Sequence, residues 1–218
     1  MKIGVLGVGR IGGNVARQSR RVGHEVMLSF VRDNEKLAAL AAGIGAQTGS
    51  PAETVAFADV VVFAMPWSTI PAAIEQAGDL GGRIVIDTTN QYGDGPMPAE
   101  GQTAAAFNKE RIKGARYTKT FNTLTAQFQA DMAGREGDER VVQWICGDDQ
   151  GANDFVAGLL DEMGYAPVDL GGTADCAVME PPRRSGAVYG DEWRLPEAVA
   201  VARAVRSGEP LPPTPTYG

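Results

Sequence analysis

Histidine occurs once, at His24, and cysteine twice, at Cys146 and Cys176, in a chain of 218 residues. The cysteines are far apart and neither has a C-x-x-C partner, so neither a disulfide framework nor a zinc site is expected, and two reduced, buried thiols are. One histidine cannot supply a metal-ligand cluster or a His-Asp couple, and no Tyr-x-x-x-Lys pair is present. His24 itself sits in a turn before an apolar run and reads as a capping or packing residue. No catalytic residue and no metal ligand stands out. Positive charge is also scarce: 20 Lys and Arg face 27 Asp and Glu, a formal charge of −7. That leaves no broad basic field for nucleic acid or an anionic membrane surface, so any anion site must be local. No apolar run approaches about 18 residues, and Lys2 leads straight into a strand pattern with no secretory core. The expected location is cytoplasmic, with neither a membrane nor a nucleic acid as partner.

Glycine is abundant, with 28 residues, and its first cluster organises the chain. Ile3 to Leu6 reads as a buried strand, and Gly7, Gly9 and Gly12 follow in G-x-G-x-x-G spacing ahead of a helix with apolar Ile11, Val15 and Val22. In such a turn Gly7 permits the bend and Gly9 leaves room for a pyrophosphate beside the backbone. Gly12 lets helix and strand approach. The first helical N–H groups then face an anion. Gly7, Val8, Gly9, Arg10, Ile11 and Gly12 are therefore candidate dinucleotide contacts.

A second strand over Val26 to Phe30 completes a βαβ unit. Its end carries Ser29 and Arg32, and no acid in the position that accepts from an adenosine ribose hydroxyl in NAD sites. A hydroxyl and a guanidinium favour a 2′-phosphate, hence NADP(H) over NAD, with Arg10 closing from the other side. Asp33 reads as a cap on a helix from Asn34 to Ala42, with a displaced ribose acid as the alternative.

A poorly marked strand is expected within Gly43 to Thr48, then a helix over Pro51 to Phe57 and a central strand over Val60 to Met65. Ligands in open α/β sheets lie beyond the carboxyl ends of the strands, which puts Ala64, Met65, Pro66 and Trp67 on the cofactor side. Trp67 packs either on the ligands or as an anchor for the helix Thr69 to Gln76. The strand beginning at Ile84 exits through Thr88, Thr89 and Asn90, whose hydroxyls and amide suit a ribose or a carboxamide. Gln91 to Gly101 is a loop, Gln102 to Lys113 a helix, and Arg116 to Phe121 a strand leading into Asn122. Ala130 to Arg140 reads as charged and turn-rich. Then come a strand over Val141 to Cys146, a helix over Gly151 to Gly164 and a strand over Ala166 to Leu170. The predicted fold is an α/β Rossmann architecture, a doubly wound and mostly parallel sheet over residues 1–178. A small C-terminal extension, 179–218, carries one short helix near Leu195 to Ser207.

Lys2 to Gly13, the strand leading to Ser29 with Arg32, the exit from Val62 to Trp67, Ile86-Asp87-Thr88-Thr89-Asn90 and Lys119-Thr120-Phe121-Asn122-Thr123 together resemble the NADPH-dependent coenzyme F420 reductase family. The resemblance covers nearly the whole chain. It implies hydride transfer between NADP and a deazaflavin, coenzyme F420 or a related flavin-like small-molecule acceptor. Gly7 to Gly12 would then hold the pyrophosphate, Ser29 and Arg32 the 2′-phosphate, and Ala64 to Trp67 with Asn122 the nicotinamide half. Family members more often place Ser directly before Arg, whereas Phe30 and Val31 intervene here. An exchange between two stacked rings needs near-attack distance more than an acid or base, which fits the residues present. Arg183 and Arg184, beside Tyr189 and Trp193, are candidates for an anionic tail on the acceptor. A homodimer through the tail is expected by analogy. Two other readings stay open: a noncatalytic NADP(H) sensor, and an imine or pyrroline carboxylate reductase. The latter enzymes usually append a long helical dimerisation domain, for which the proline-rich stretch after Cys146 is too short.

Overall fold

The structure is a computed structural model and describes residues 1–30 and 33–217. Its centre is β4 (Val60–Phe63), buried along its whole length. Alternation explains why four apolar residues in a row are needed there. Val60 and Val62 face one core, with residues of α1 (Arg10–Arg21), α2 (Asn34–Ile44) and α7 (Gln150–Glu162). Val61 and Phe63 face the other, with α3 (Pro51–Phe57), α4 (Ile70–Ala77), α5 (Ala104–Arg111) and α8 (Leu195–Ser207). A strand covered on both faces has no polar side to show, and each such side chain stabilises by about 1.5–3 kcal/mol on leaving water.

Around β4 the sheet runs β3 (Gln47–Thr48), β2 (Glu25–Ser29), β1 (Lys2–Leu6), β4, β5 (Ile84–Asp87), β6 (Arg116–Lys119), β7 (Val142–Cys146) and β8 (Ala166–Gly171). The first six strands in chain order are parallel. The chain turns back only after β6, so β7 is antiparallel to it and β8 parallel to β7. This is the expected doubly wound, mostly parallel sheet. The order reverses at β1 and β4, opening a crevice between their carboxyl ends.

Three local expectations change. β2 stops at Ser29 because Phe30 adopts a left-handed backbone, φ 58°. The start of the charged stretch forms part of a helix, α6 (Ala126–Met132), whose first turn is capped by Thr125 Oγ1 accepting from Phe128 N. β5 ends at Asp87, leaving Thr88 to Asn90 outside the ladder. Residues after Met179 pack onto the same apolar face as β7: Trp193 stands edge-on to Trp144 at 6.0 Å, and α8 lies along β8. Both cysteines are buried free thiols. Among the described residues no helix is long and apolar enough to cross a membrane.

Candidate functional site: two cavities beyond the strand ends

The glycine turn has the geometry that its spacing requires. Gly7 has φ 92°, and a Cβ there would lie 2.6 Å from Ala64 O, so any side chain would strike the exit of β4. A Cβ on Gly12 would sit 1.9 Å from Gly7 O. Gly9 is different: a Cβ there meets nothing within 4 Å. Two glycines let protein pack against protein, while the third keeps clear the space that a pyrophosphate would fill. Gly9 is also the N-cap of α1, with no side-chain cap and no acid in the first turn. By contrast α2, α3, α5, α6 and α7 are each capped by a side chain of their own. The first N–H groups of α1, like those of α4 and α8, have no side-chain cap, and at the glycine turn they can face an anion.

A cavity of about 710 Å³ runs from this turn across the β2 and β4 exits. Gly7, Val8 and Gly9 form its floor, Ser29 and Phe30 one wall, and Ala64, Met65 and Pro66 the other. Lys36 and Leu37 of α2 close the β2 end. Ser29 is buried and its hydroxyl donates to Gly49 O at 2.7 Å, so that proton is already engaged. Asp33 spends Oδ1 on the amides of Glu35 and Lys36, at 3.1 Å each, and pairs with Lys36 Nζ at 3.2 Å. The Lys36 amide and side chain hold its carboxyl below the usual carboxylate range. It caps α2 as expected, and it also lines the cavity at the β2 end. Arg32 lies outside the described residues. Arg10 is exposed at the start of α1 and lines neither cavity.

A second cavity, about 450 Å³, lies beyond the exits of β5 and β6. Ile11, Thr88, Asn90, Asn122 and Thr123 line it together with aromatic Phe121, Phe128 and Tyr189. Asn90 Nδ2 donates to Asn122 O at 2.9 Å, and Asn122 Nδ2 returns a bond to Asn90 Oδ1 at 3.0 Å. Asn122 Nδ2 also donates to Met179 O at 2.6 Å, which leaves Asn122 Oδ1 an unpartnered acceptor. Thr123 Oγ1 is unpartnered as well. Phe121 takes a left-handed backbone, φ 61°, at this exit, as Phe30 does at the other cavity. Strain of this kind, of order 1 kcal/mol, persists where surrounding contacts over-determine it. Here Gln129 of α6 does so, donating to Phe121 O at 3.0 Å and Leu124 O at 2.8 Å.

Three residues singled out in the sequence stand elsewhere. Trp67 is buried and lines neither cavity. Its Nε1 donates to Pro96 O at 2.8 Å, and its ring stacks on Phe107 with the Arg111 guanidinium 4.7 Å away. It anchors the loop after β5, because Phe107 and Arg111 hold its ring and the Pro96 carbonyl holds its N–H. Trp193 is in the core, and Arg184 is consumed by the carbonyls of Ala177, Glu180 and Pro182. Of that tail cluster only Arg183 and Tyr189 reach the second cavity, Arg183 paired with Asp191 and Tyr189 hydroxyl to hydroxyl with Tyr92 at 2.9 Å. Burial, with Tyr92 adding to it, pushes the Tyr189 phenol well up, so it stays protonated. Lys36, Phe128 and Gln129 were not expected. A Thr-x-x-Phe cap before an apolar position was the available signal for α6.

Residues 2–91 match the family model described as NADP oxidoreductase coenzyme F420-dependent. Metalloreductase STEAP3 of Rattus norvegicus is 25% identical over 179 residues, which is 82% of this chain and 36% of that protein. The chain thus spans about a third of the length of that curated relative. Among solved structures, a hypothetical protein of Sinorhizobium meliloti aligns with TM-score 0.78 at 26% identity, covering 89% of this chain and 96% of its own. An Arthrobacter sp. FB24 protein assigned as an F420-dependent NADP-reductase aligns with TM-score 0.69 at 27% identity, covering 81% and 87%. An Aspergillus terreus imine reductase, at 23% identity and TM-score 0.59, covers 79% of this chain and 56% of its own, and shows the shared fold. Over residues 2–91 the chain is thus similar to the coenzyme F420-dependent NADP oxidoreductases.

Proposed function

We propose that the protein is an NADP-dependent oxidoreductase that binds NADPH in the larger cavity and passes a hydride to a deazaflavin, or a related flavin-like ring, in the smaller one. The carrying observation is the pairing of a glycine-floored crevice at β1 and β4 with an aromatic-walled cavity at the next two strand ends. The open space at Gly9 and the uncapped start of α1 suit the pyrophosphate. Lys36, which lines the cavity, supplies a cation for a 2′-phosphate, the role that the sequence offers to Arg32. Thr88 and Asn90, which line the smaller cavity, suit the polar edge of a carboxamide or a ribose.

Bound NADPH supplies the hydride, and the balance is NADPH + H⁺ + oxidised acceptor → NADP⁺ + reduced acceptor, the proton coming from solvent. The chain contributes position rather than acid or base. Phe121, Phe128 and Tyr189 flank a planar ring, and the amides of Asn90 and Asn122 fix the edge of the cavity that the nicotinamide would meet. Arg183 gives the mouth a cation for an acceptor with an anionic substituent.

Absorbance at 340 nm tests this, with oxidised deazaflavin present or omitted and NADH in parallel. Oxidation that requires both NADPH and the deazaflavin is the expected result. Tight NADPH binding with no oxidation by deazaflavin, flavin, quinone or ferric chelate overturns the enzymatic reading in favour of a sensor. Oxidation with a ferric chelate alone moves the acceptor toward the chemistry named in the metalloreductase relative.

A further inference from the structure

Lys119, the last residue of β6, has no exposed side-chain surface, and Asp87, at the end of β5, has almost none. Aliphatic residues fill the neighbouring β5 positions, Val85 and Ile86, and they would fill this space too. Exchanging a buried ion pair for apolar side chains is often neutral or stabilising, so added stability is a weak reason for the pair to be here.

Its hydrogen bonds converge on one residue. Lys119 Nζ donates to Thr89 O at 2.6 Å and stands 3.6 Å from Asp87 Oδ2. Asp87 Oδ1 accepts Thr89 N at 2.8 Å. Its Oδ2 accepts Tyr117 Oη at 2.6 Å and Asn108 Nδ2 at 2.7 Å, and the same Asn108 amide reaches Thr89 Oγ1 at 3.2 Å. The N–H, carbonyl and hydroxyl of Thr89 are therefore all engaged by this cluster. Burial alone would raise the Asp87 carboxyl, but the charge of Lys119 and the bonds from Tyr117, Asn108 and Thr89 outweigh it and keep the group ionised. On either side of Thr89 stand Thr88 and Asn90, both lining the second cavity, and Asn90 is locked to Asn122.

We propose that Asp87 and Lys119 are positioning residues, which fix the Thr89 peptide and through it set Thr88, Asn90 and Asn122 at the nicotinamide end without touching the cofactor. The inference rests on the reading of the larger cavity as the NADPH site. It separates the two ends of the cofactor, because among the described residues no hydrogen bond or ion pair joins the glycine turn or Ser29 to this cluster.

The test is calorimetric titration of Asp87→Asn/Lys119→Met with two probes: NADPH, and adenosine 2′,5′-bisphosphate, which keeps the adenosine end and lacks the nicotinamide. The double variant removes both charges together, and Asn at 87 retains an acceptor for Thr89 N. NADPH affinity is expected to fall about tenfold or more while that of the bisphosphate stays within about twofold. Unchanged NADPH affinity overturns the proposal, and so does an equal loss for both probes, which marks a general structural role. Wild-type protein that binds neither probe overturns the cofactor reading and this inference with it. If thermal melting shows the double variant unfolded, Tyr117→Phe carries the test, with NADPH weakened about threefold relative to the bisphosphate and an unchanged ratio as the overturning result.

Discussion

The two cavities are made of different material. The larger is built from backbone: a glycine turn, a helix start without a cap, and strand exits that are close in sequence to the strands that place them. The smaller is built from side chains brought together from α1, two strand exits, α6 and the tail. A backbone site tolerates many side-chain changes but almost none at its packed glycines. The aromatic walls of a side-chain site should show the opposite sensitivity, losing the acceptor while the cofactor and the fold survive.

The largest expected contrast is between two glycines of one motif. Gly12→Ala drives a Cβ into Gly7 O and Ala64, both parts of packed elements. It should lower stability by about 3 kcal/mol or more, seen as a fall in the thermal midpoint, and abolish NADPH binding. Gly9→Ala enters open space. Its melt should match the wild type while NADPH affinity drops about tenfold, because the methyl occupies room needed by the pyrophosphate. Equal melts for the two variants would show that the close packing at Gly12 is not what the motif requires.

A smaller effect distinguishes the second cavity. Tyr189→Ala removes an aromatic wall and the hydroxyl contact to Tyr92. The KM for the acceptor should rise about tenfold with the NADPH dissociation constant unchanged. A parallel loss of NADPH affinity would mean that the tail serves the cofactor as well, and the contrast between the cavities would fail.

The smallest effect lies outside both. His24 is buried at 3.0 Å from Glu162, between the turn before β2 and α7. Burial, aided by the positive N-terminus, lowers its pKa against the opposing pull of Glu162. The unfolded chain therefore takes up this proton first, so stability falls as pH drops through about 6.5, the ordinary histidine value, toward the lowered native one. Replacing His24 with Gln should flatten that part of the thermal midpoint against pH, with no change in NADPH affinity at pH 7.5. A steeper slope in the variant would reverse the sign argued here.

The sequence alone determined the sheet, the glycine turn and the strand exits, because these depend on short-range rules: apolar runs for strands covered on both faces, and glycine where the backbone must bend or approach. Gly7, Gly9, Ala64 to Pro66, Thr88, Asn90 and Asn122 follow from strand order, since every parallel strand delivers its exit to the same edge. Tertiary structure alone decided what those residues do there. Trp67 occupies a strand exit, yet its ring is drawn into the core by Phe107, Arg111 and the Pro96 carbonyl, none of them its sequence neighbours. Ser29 presents a hydroxyl already given to Gly49. Helix α6 is short, and its Gln129 matters only because Phe121 and Leu124 return to it. Lys119 reads as an ordinary strand charge until the sheet sets it beside Asp87 and the Thr89 carbonyl. Burial and pairing are properties of neighbours distant in sequence, and no local pattern of residue types encodes them.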